Sequence, residues 1–234
     1  LNAKGEFINA AEGNEVLELA ETMDINFAQV ENLGKYITDF NTIDTHIQKV
    51  INLPLVDVES IKKAGFKVAV DAVNSTGGIA IPRLLKALGV ENVVELNCEP
   101  NGKFAHNPEP LPENLTEISS VVKENGCDLG IVVDPDVDRL ALICENGEMF
   151  GEEYTLVAVA DYVLSNQKGN TVSNMSSTRA LRDVTEDYGS SYTSAAVGEV
   201  NVVEKMKATN AIIGGEGNGG VIYPELHYGR DALV

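Results

Sequence analysis

Three aspartates at alternating positions, Asp134, Asp136 and Asp138, follow directly on the apolar run Ile131-Val132-Val133 and are closed by Arg139. Carboxylates this close repel one another, so either a cation joins them or some of their pKa values rise. A hard divalent ion with oxygen ligands is the natural partner, and magnesium leaves coordination positions open for a phosphate oxygen. Arg139 adds a planar donor suited to phosphate or carboxylate. Two other readings fit these residues: a solvated acidic turn with Asp138 and Arg139 as a surface pair, and a phosphatase that places Asp-x-Asp after a strand. An EF-hand is excluded, because the twelve-residue loop with its central glycine and terminal glutamate is missing.

A second loop, Gly214-Gly215-Glu216-Gly217-Asn218-Gly219-Gly220, follows the apolar run Ala211-Ile212-Ile213. So many glycines let a backbone approach a ligand closely. No Gly-Lys-Ser/Thr follows and no GxGxxG enters a clear helix, so neither nucleotide fingerprint applies. Glu216 and Asn218 alternate with the glycines, presenting an acceptor and an amide. Vicinal sugar hydroxyls need that combination of acceptor and donor. A purely structural glycine turn is the plainer alternative.

Both loops need a scaffold that delivers them from strand ends. The first forty residues read as a remnant: an amphipathic helix over Glu12–Thr22, a polar stretch through Asp24 and Asn26, and a short helix around Phe27–Leu33. Asp44 is an N-cap candidate for a helix carrying Ile47, Val50 and Ile51, and Val58–Ala64 predicts another. From Phe66 strands and helices alternate: strand to Val70, turn at Asn74–Gly78, helix to Gly89, strand Asn92–Leu96, helix Glu113–Asn125, then strands Asp128–Val133 and Leu140–Cys144. An apolar helix spans Glu152–Ser165, and Gln167–Asn170 is the best linker. Beyond it come strand Thr171–Met175, helix Thr178–Tyr188, strand Ser191–Ala196, helix Val200–Thr209 and strand Ala211–Gly214. The expected class is α/β: tandem α/β domains with mixed, largely parallel sheets flanked by helices. No internal repeat is clear, although the two α/β units could share a plan.

At 44% hydrophobic residues the chain can bury a sizeable core. A formal net charge of −19 speaks against a nucleic-acid or anionic-membrane partner, which such a surface would repel. Three widely spaced cysteines, Cys98, Cys127 and Cys144, show neither a CxxC pair nor a disulfide framework, which fits a reducing, cytoplasmic setting. No apolar run approaches the roughly 20 residues of a membrane span. The start at Leu1 lacks the basic and apolar regions of a signal peptide. That start and the apolar end at Leu233-Val234 together suggest an excerpt of a longer protein.

Taken together, Asp134-Pro135-Asp136-Val137-Asp138-Arg139 and Gly215-Glu216-Gly217-Asn218-Gly219-Gly220 resemble the metal-binding and sugar-binding loops of the α-D-phosphohexomutases (the phosphoglucomutase, phosphomannomutase and phosphoglucosamine mutase family). Their order and spacing of about 80 residues also match. Asp71-Ala72-Val73-Asn74-Ser75-Thr76-Gly77, His106-Asn107-Pro108-Glu109-Pro110 and Gly229-Arg230-Asp231 extend the resemblance over essentially the whole chain. It implies that residues 1–40 end the first of four domains, 41–167 form the second with the metal loop, and 168–234 form most of the third with the sugar loop. It further implies an intramolecular phosphotransferase, an isomerase moving phosphate between the 1- and 6-positions of a hexose through a phosphoserine and a hexose 1,6-bisphosphate. Mg2+ would be held by Asp134, Asp136 and Asp138, Arg139 would contact the phosphoserine region, and Glu216 and Asn218 would orient sugar hydroxyls.

The chain departs from the family pattern in two ways. The Ser-His-Asn-Pro segment that carries the catalytic serine is absent from all 234 residues, as is the Arg-x-Ser-Gly-Thr phosphate loop. The expectation is therefore an inactive fragment of an active enzyme, with none of Ser75, Ser176 or Ser177 replacing the nucleophile. In the sugar loop Asn218 stands where serine is usual and Gly220 where histidine is usual. His227 could compensate, though a surface histidine is the simpler reading. The rivals are a non-catalytic sugar-phosphate or metal-binding module and an aspartyl phosphatase using Asp134.

Overall fold

The computed structural model describes residues 1–23 and 26–234; Asp24, in the polar stretch expected after the first helix, lies outside the described residues. Helix α1 (Ala10–Thr22) opens on a capping box. Asn9 accepts from the Ala11 and Glu12 amides, and the Glu12 side chain returns to the Asn9 N–H. It buries no residue. Instead of a helix over Phe27–Leu33 there is one 3-10 turn at Val30–Asn32, and Phe27, Tyr36, Ile37 and Phe40 all stand exposed. Helix α2 (Thr42–Ile51) begins three residues earlier than expected. Asn41 occupies the cap position, and Asp44 lies in the first turn, where its charge favours the helix N-terminus and pairs with exposed Arg83 at 3.2 Å.

Helix α3 (Val58–Ala64) leads into β1 (Lys67–Asp71), whose last four residues are buried irrespective of face, as a central strand covered on both sides requires. Helix α4 (Gly77–Ala87) packs Ile81, Leu84 and Leu85 onto Val68, Val70 and Val133, with Ile47 and Val50 of α2 in the same layer. Strand β2 (Asn92–Leu96), helix α5 (Thr116–Asn125), β3 (Leu129–Val133) and β4 (Leu140–Cys144) complete the first sheet. Leu115, Ile118 and Val122 cover its other face against Ala69, Val132 and Ile143. Gly126, at φ 60°, ends α5 in the left-handed conformation.

Helix α6 (Glu152–Asn166) lies between the sheets. Leu156, Ala160 and Val163 meet Leu181, Ile213 and Val221, while the Thr155 hydroxyl donates to the Leu140 carbonyl at 2.8 Å. Strand β5 (Asn170–Asn174), helix α7 (Ala180–Asp187), β6 (Tyr192–Ala195), helix α8 (Glu199–Thr209), β7 (Ala211–Glu216) and β8 (Gly220–Ile222) form the second unit. The short strand β8 went unread in the sequence because its three residues carry no alternation of their own.

The strand orders are β2-β1-β3-β4 and β6-β5-β7-β8. In each sheet the first three strands run parallel and the fourth returns antiparallel from the third. The two units therefore do share a plan. The acidic loop and the glycine loop are the equivalent hairpin turns, β3 to β4 and β7 to β8, at the carboxyl ends of parallel strands where α/β sheets gather ligands. Among the described residues no helix is long and apolar enough to cross a membrane.

The turn into α4 depends on close approach. A Cβ on Gly78 would overlap the backbone carbonyl of Cys98, whereas one on Gly13, in exposed α1, would meet nothing within 4 Å. Gly78→Ala should cost about 1–3 kcal/mol in a chemical unfolding titration, and Gly13→Ala should be neutral or stabilising by up to about 1 kcal/mol. Equal effects of the two changes would contradict this account of the turn.

Candidate functional site

At the end of β3, Asp134 is fully buried and both its oxygens are engaged. Oδ1 accepts from the backbone amides of Asp138 (3.0 Å) and Arg139 (3.1 Å), and Oδ2 accepts from Arg139 Nε at 2.6 Å. These bonds curl the loop round its own first residue. The curl forces Val137 to φ 62°, a conformation that a β-branched side chain rarely adopts. It is held there by its N–H to the Asp134 carbonyl (3.2 Å) and by its own carbonyl, which accepts from Ala232 of the second unit (3.1 Å). Val73, Asn74 and Asn97, at the carboxyl ends of β1 and β2, also have positive φ. Such strain concentrates where a scaffold fixes functional groups.

The turn after β1 supports the loop from beside it. Ser75 and Thr76 hydroxyls both donate to the Pro135 carbonyl, at 2.8 and 2.7 Å. Ser75 is thus a brace. Asp71, 1% exposed, accepts from the Val73 amide and both Asn97 contacts, and His106 Nε2 lies 3.1 Å from its Oδ2. The segment His106–Pro110 also delivers Glu109, which takes Arg139 Nη1 at 2.6 Å. Arg139 is spanned between Asp134 and Glu109, and these carboxylates hold its guanidinium charged against the opposing effect of burial.

One ligand oxygen from each of Asp134, Asp136 and Asp138 lies within 4.8 Å of the others. Asp136 is exposed and Asp138 half-buried. Burial pushes the Asp138 carboxyl up to about 7, and Asp134 and Asp136 add to the rise while Arg230 opposes it. Three oxygen donors, one of them resisting ionisation, fit a hard divalent cation and offer nothing to a soft one.

In the second unit Glu216 ends β7, 5% exposed, with its oxygens taken from both sides. Oε1 accepts from Asn174 Nδ2 (2.8 Å) and the Gly198 amide (3.2 Å), and Oε2 accepts from Arg230 Nη1 (2.8 Å). Ser176 and Ser177 hydroxyls donate to Asn174 Oδ1, and Ser177 Oγ accepts from the Gly217 amide at 2.8 Å. These serines buttress the glycine loop. Asn218 is partly exposed; its Oδ1 accepts from the Gly220 amide at 3.2 Å and its Nδ2 lies 3.4 Å from Glu216 Oε2.

The two loops meet. The Leu140 amide donates to the Gly219 carbonyl at 3.0 Å. Gly219 has φ 91°, and a Cβ there would collide with the Leu140 carbonyl oxygen, so only glycine permits this approach. Arg230 completes the junction: Nη2 bonds Asp138 Oδ2, Nη1 bonds Glu216, and Nε bonds Glu199 Oε2 at 3.0 Å. Its three carboxylate partners keep it charged against burial. In the sequence Arg230 belongs only to Gly229-Arg230-Asp231, and Glu199 and Asn174 lie outside every motif. The available signal was a lone arginine fourteen residues after Glu216 in a chain with 17 basic and 36 acidic residues.

Comparison with known proteins places these features in one family. The family model for phosphoglucomutase/phosphomannomutase alpha/beta/alpha domain II matches residues 44–147, and that for domain III matches residues 151–234. A phosphoglucomutase/phosphomannomutase of Thermococcus kodakarensis is 38% identical over 94% of this chain and 48% of its own length. A probable phosphoglucosamine mutase of Methanosarcina barkeri is 33% identical over 99% of this chain and 51% of its own. The crystal structure of a putative phosphomannomutase from Thermus thermophilus superposes with a TM-score of 0.77 at 26% identity, covering 86% of this chain and 46% of that one. The chain spans about half the length of the curated relatives it matches. With an acidic hairpin and a glycine hairpin in equivalent places on two like sheets, and with both domain models matched in order, the chain belongs to the α-D-phosphohexomutase family.

Proposed function

We propose that this chain is the metal- and sugar-binding half of a magnesium-dependent phosphohexomutase that moves phosphate between the 1- and 6-positions of a hexose. The observation that carries the reading is the junction of the two hairpins, where Arg230 bonds Asp138 of one loop and Glu216 of the other. A phosphate held at the carboxylate loop and a sugar held at the glycine loop would then be neighbours, as transfer to a hexose hydroxyl requires.

In this reading Asp134, Asp136 and Asp138 hold Mg2+, which supplies electrostatic stabilisation of the transferring phosphoryl group. Asp134 aligns the loop by accepting from its backbone amides, and Arg139, braced by Glu109, offers its remaining donors to the phosphoserine region. Glu216 and Asn218 orient hexose hydroxyls, with Glu216 turning from its internal partners to do so. In the first half-reaction the P–O bond to serine breaks as a P–O bond to a hexose hydroxyl forms, giving the 1,6-bisphosphate; in the second the other hexose P–O bond breaks as the P–O bond to serine re-forms. The hydroxyl proton leaves to a base other than the sugar-loop histidine usual in the family, since Gly220 stands at that position. Substrates are the hexose 1- and 6-phosphates, with the 1,6-bisphosphate as intermediate.

We assign residues 1–40 to the close of a preceding domain, 41–167 to the metal-loop domain and 168–234 to the sugar-loop domain, with α6 as the spacer between the sheets. The exposed Phe27, Tyr36, Ile37 and Phe40 support the first assignment, since apolar side chains of this size ordinarily find cover. The three free cysteines suit a cytoplasmic enzyme. An aspartyl phosphatase is the weaker reading, because Asp134 is fully buried with both oxygens engaged and is poorly placed to attack phosphorus.

Measurements of turnover, stability and metal binding test the proposal. The chain alone should show no mutase turnover in a coupled assay, and robust turnover would refute the phosphoserine requirement. In the enzyme that contains it, Asp136→Ala should abolish magnesium-dependent turnover while leaving the thermal midpoint within about 1 °C, since Asp136 is exposed and braces nothing. Unchanged activity at limiting magnesium would overturn the metal assignment. Arg230→Met should destabilise the chain by up to about 3–5 kcal/mol, because three partly buried carboxylates lose their counter-charge, and Glu199→Gln in the same chain should restore part of that loss. The same variant should bind Mg2+ more tightly by calorimetry, as Asp138 loses a competing cation; weaker binding would contradict the competition.

A further inference from the structure

Beside the acidic hairpin, three side chains from distant parts of the sequence converge. His46 stands on α2, His227 in the turn after β8, and Asp231 four residues beyond it. His46 Nε2 is 2.7 Å from Asp231 Oδ2, and His227 Nε2 is 3.0 Å from that same oxygen. Donor atoms of all three lie within 4.8 Å of one another. Asp231 is 7% exposed and fixed from behind: its Oδ1 accepts from the Leu233 amide at 2.8 Å, and its own amide donates to the Val221 carbonyl at 3.0 Å. The two imidazoles are 32% and 43% exposed, and they border a cleft of about 400 Å³ that also reaches Thr42 and Asp136.

We propose that His46, His227 and Asp231 form a second cation site, of the zinc type, independent of the acidic hairpin. The donor set is the first argument. Two imidazole nitrogens and one carboxylate oxygen suit a borderline metal, whereas the acidic hairpin offers only hard oxygens. The number of ligands is the second: three protein donors leave a fourth position for water or a ligand, and the cleft provides room for it. Geometry is the third. Both Nε2 atoms already lie within hydrogen-bond distance of one Asp231 oxygen, and ligand atoms around a tetrahedral ion with bonds of about 2.0–2.1 Å stand roughly 3.3 Å apart. Each imidazole nitrogen needs to draw back from Asp231 by only a few tenths of an ångström, a movement that the half-exposed imidazoles can make while Asp231 stays in place. Because His46 belongs to the first unit and the other two ligands to the second, an ion here would pin the units together beside the acidic hairpin.

The site is tested by titrating the whole chain with Co2+ in the presence of excess Mg2+, reading the visible ligand-field absorption, and then displacing with Zn2+. One equivalent of Co2+ should give the intense band of a four-coordinate ion, Mg2+ should leave it unchanged, and Zn2+ should remove it. Loss of an outer-sphere partner costs about 10–100-fold in metal affinity, so removing a ligand in His227→Gln should weaken binding by at least about 100-fold. His227 is 43% exposed, so that variant keeps the core, and His46→Ala gives a second, independent reading. Asp136→Asn should retain the band. No band in the unaltered chain, a band that Mg2+ abolishes, or one that survives His227→Gln would overturn the proposal. The last result would leave His46, Asp231 and His227 as a hydrogen-bonded clasp only.

Discussion

One guanidinium holds the site together. Arg230 lies among Asp138, Glu199 and Glu216, which come from the hairpin of the first sheet, the start of α8 and the end of β7. Each of these acids is largely shielded from water, where a carboxylate left without a counter-charge is costly. A planar cation with donors pointing three ways answers all of them at once, which an ammonium group on a flexible stem does less well. The glycine hairpin can then lie directly on the edge of the first sheet, with Gly219 against Leu140, because the charges on either side are already matched.

The scaffold that brings these groups together is a duplicated plan. Three parallel strands with an antiparallel fourth place a hairpin at the carboxyl edge of each sheet. One hairpin carries carboxylates and the other glycines, so the same turn has been given two chemistries. Rigidity comes from the neighbouring turns: Ser75 and Thr76 under Pro135, and Ser176 and Ser177 under Asn174 and Gly217. The hydroxyls that could have been mistaken for nucleophiles are spent on backbone carbonyls, amides and an asparagine.

Much of this was legible in the sequence. Strands β2 and β4 and helix α3 coincide with the runs that marked them, because short β-branched and apolar runs bounded by polar loops, and a helix closed by a glycine, leave strong local signals. What stayed hidden was long-range. Nothing local distinguishes Arg230 from an ordinary surface arginine, and its partners lie 14, 31 and 92 residues away. Asp44 looked like a cap because capping and first-turn positions favour the same side chain. The identical sheet orders were invisible because topology, not residue identity, is what the two units share. Glu216 and Asn218 stand out in the glycine loop by their alternation with glycines, but their inward hydrogen bonds depend on Asn174, Gly198 and Arg230, which no spacing rule connects.

The central claim is that the two hairpins make one site, with a divalent cation on the aspartates and a hexose phosphate on the glycine loop. A crystal structure of the chain with Mn2+ and a hexose 1,6-bisphosphate addresses it most directly, since anomalous scattering locates the ion unambiguously. The account predicts the anomalous peak among Asp134, Asp136 and Asp138, with sugar hydroxyls at Glu216 and Asn218. An ion bound elsewhere, or a sugar seated away from the glycine loop, would contradict it.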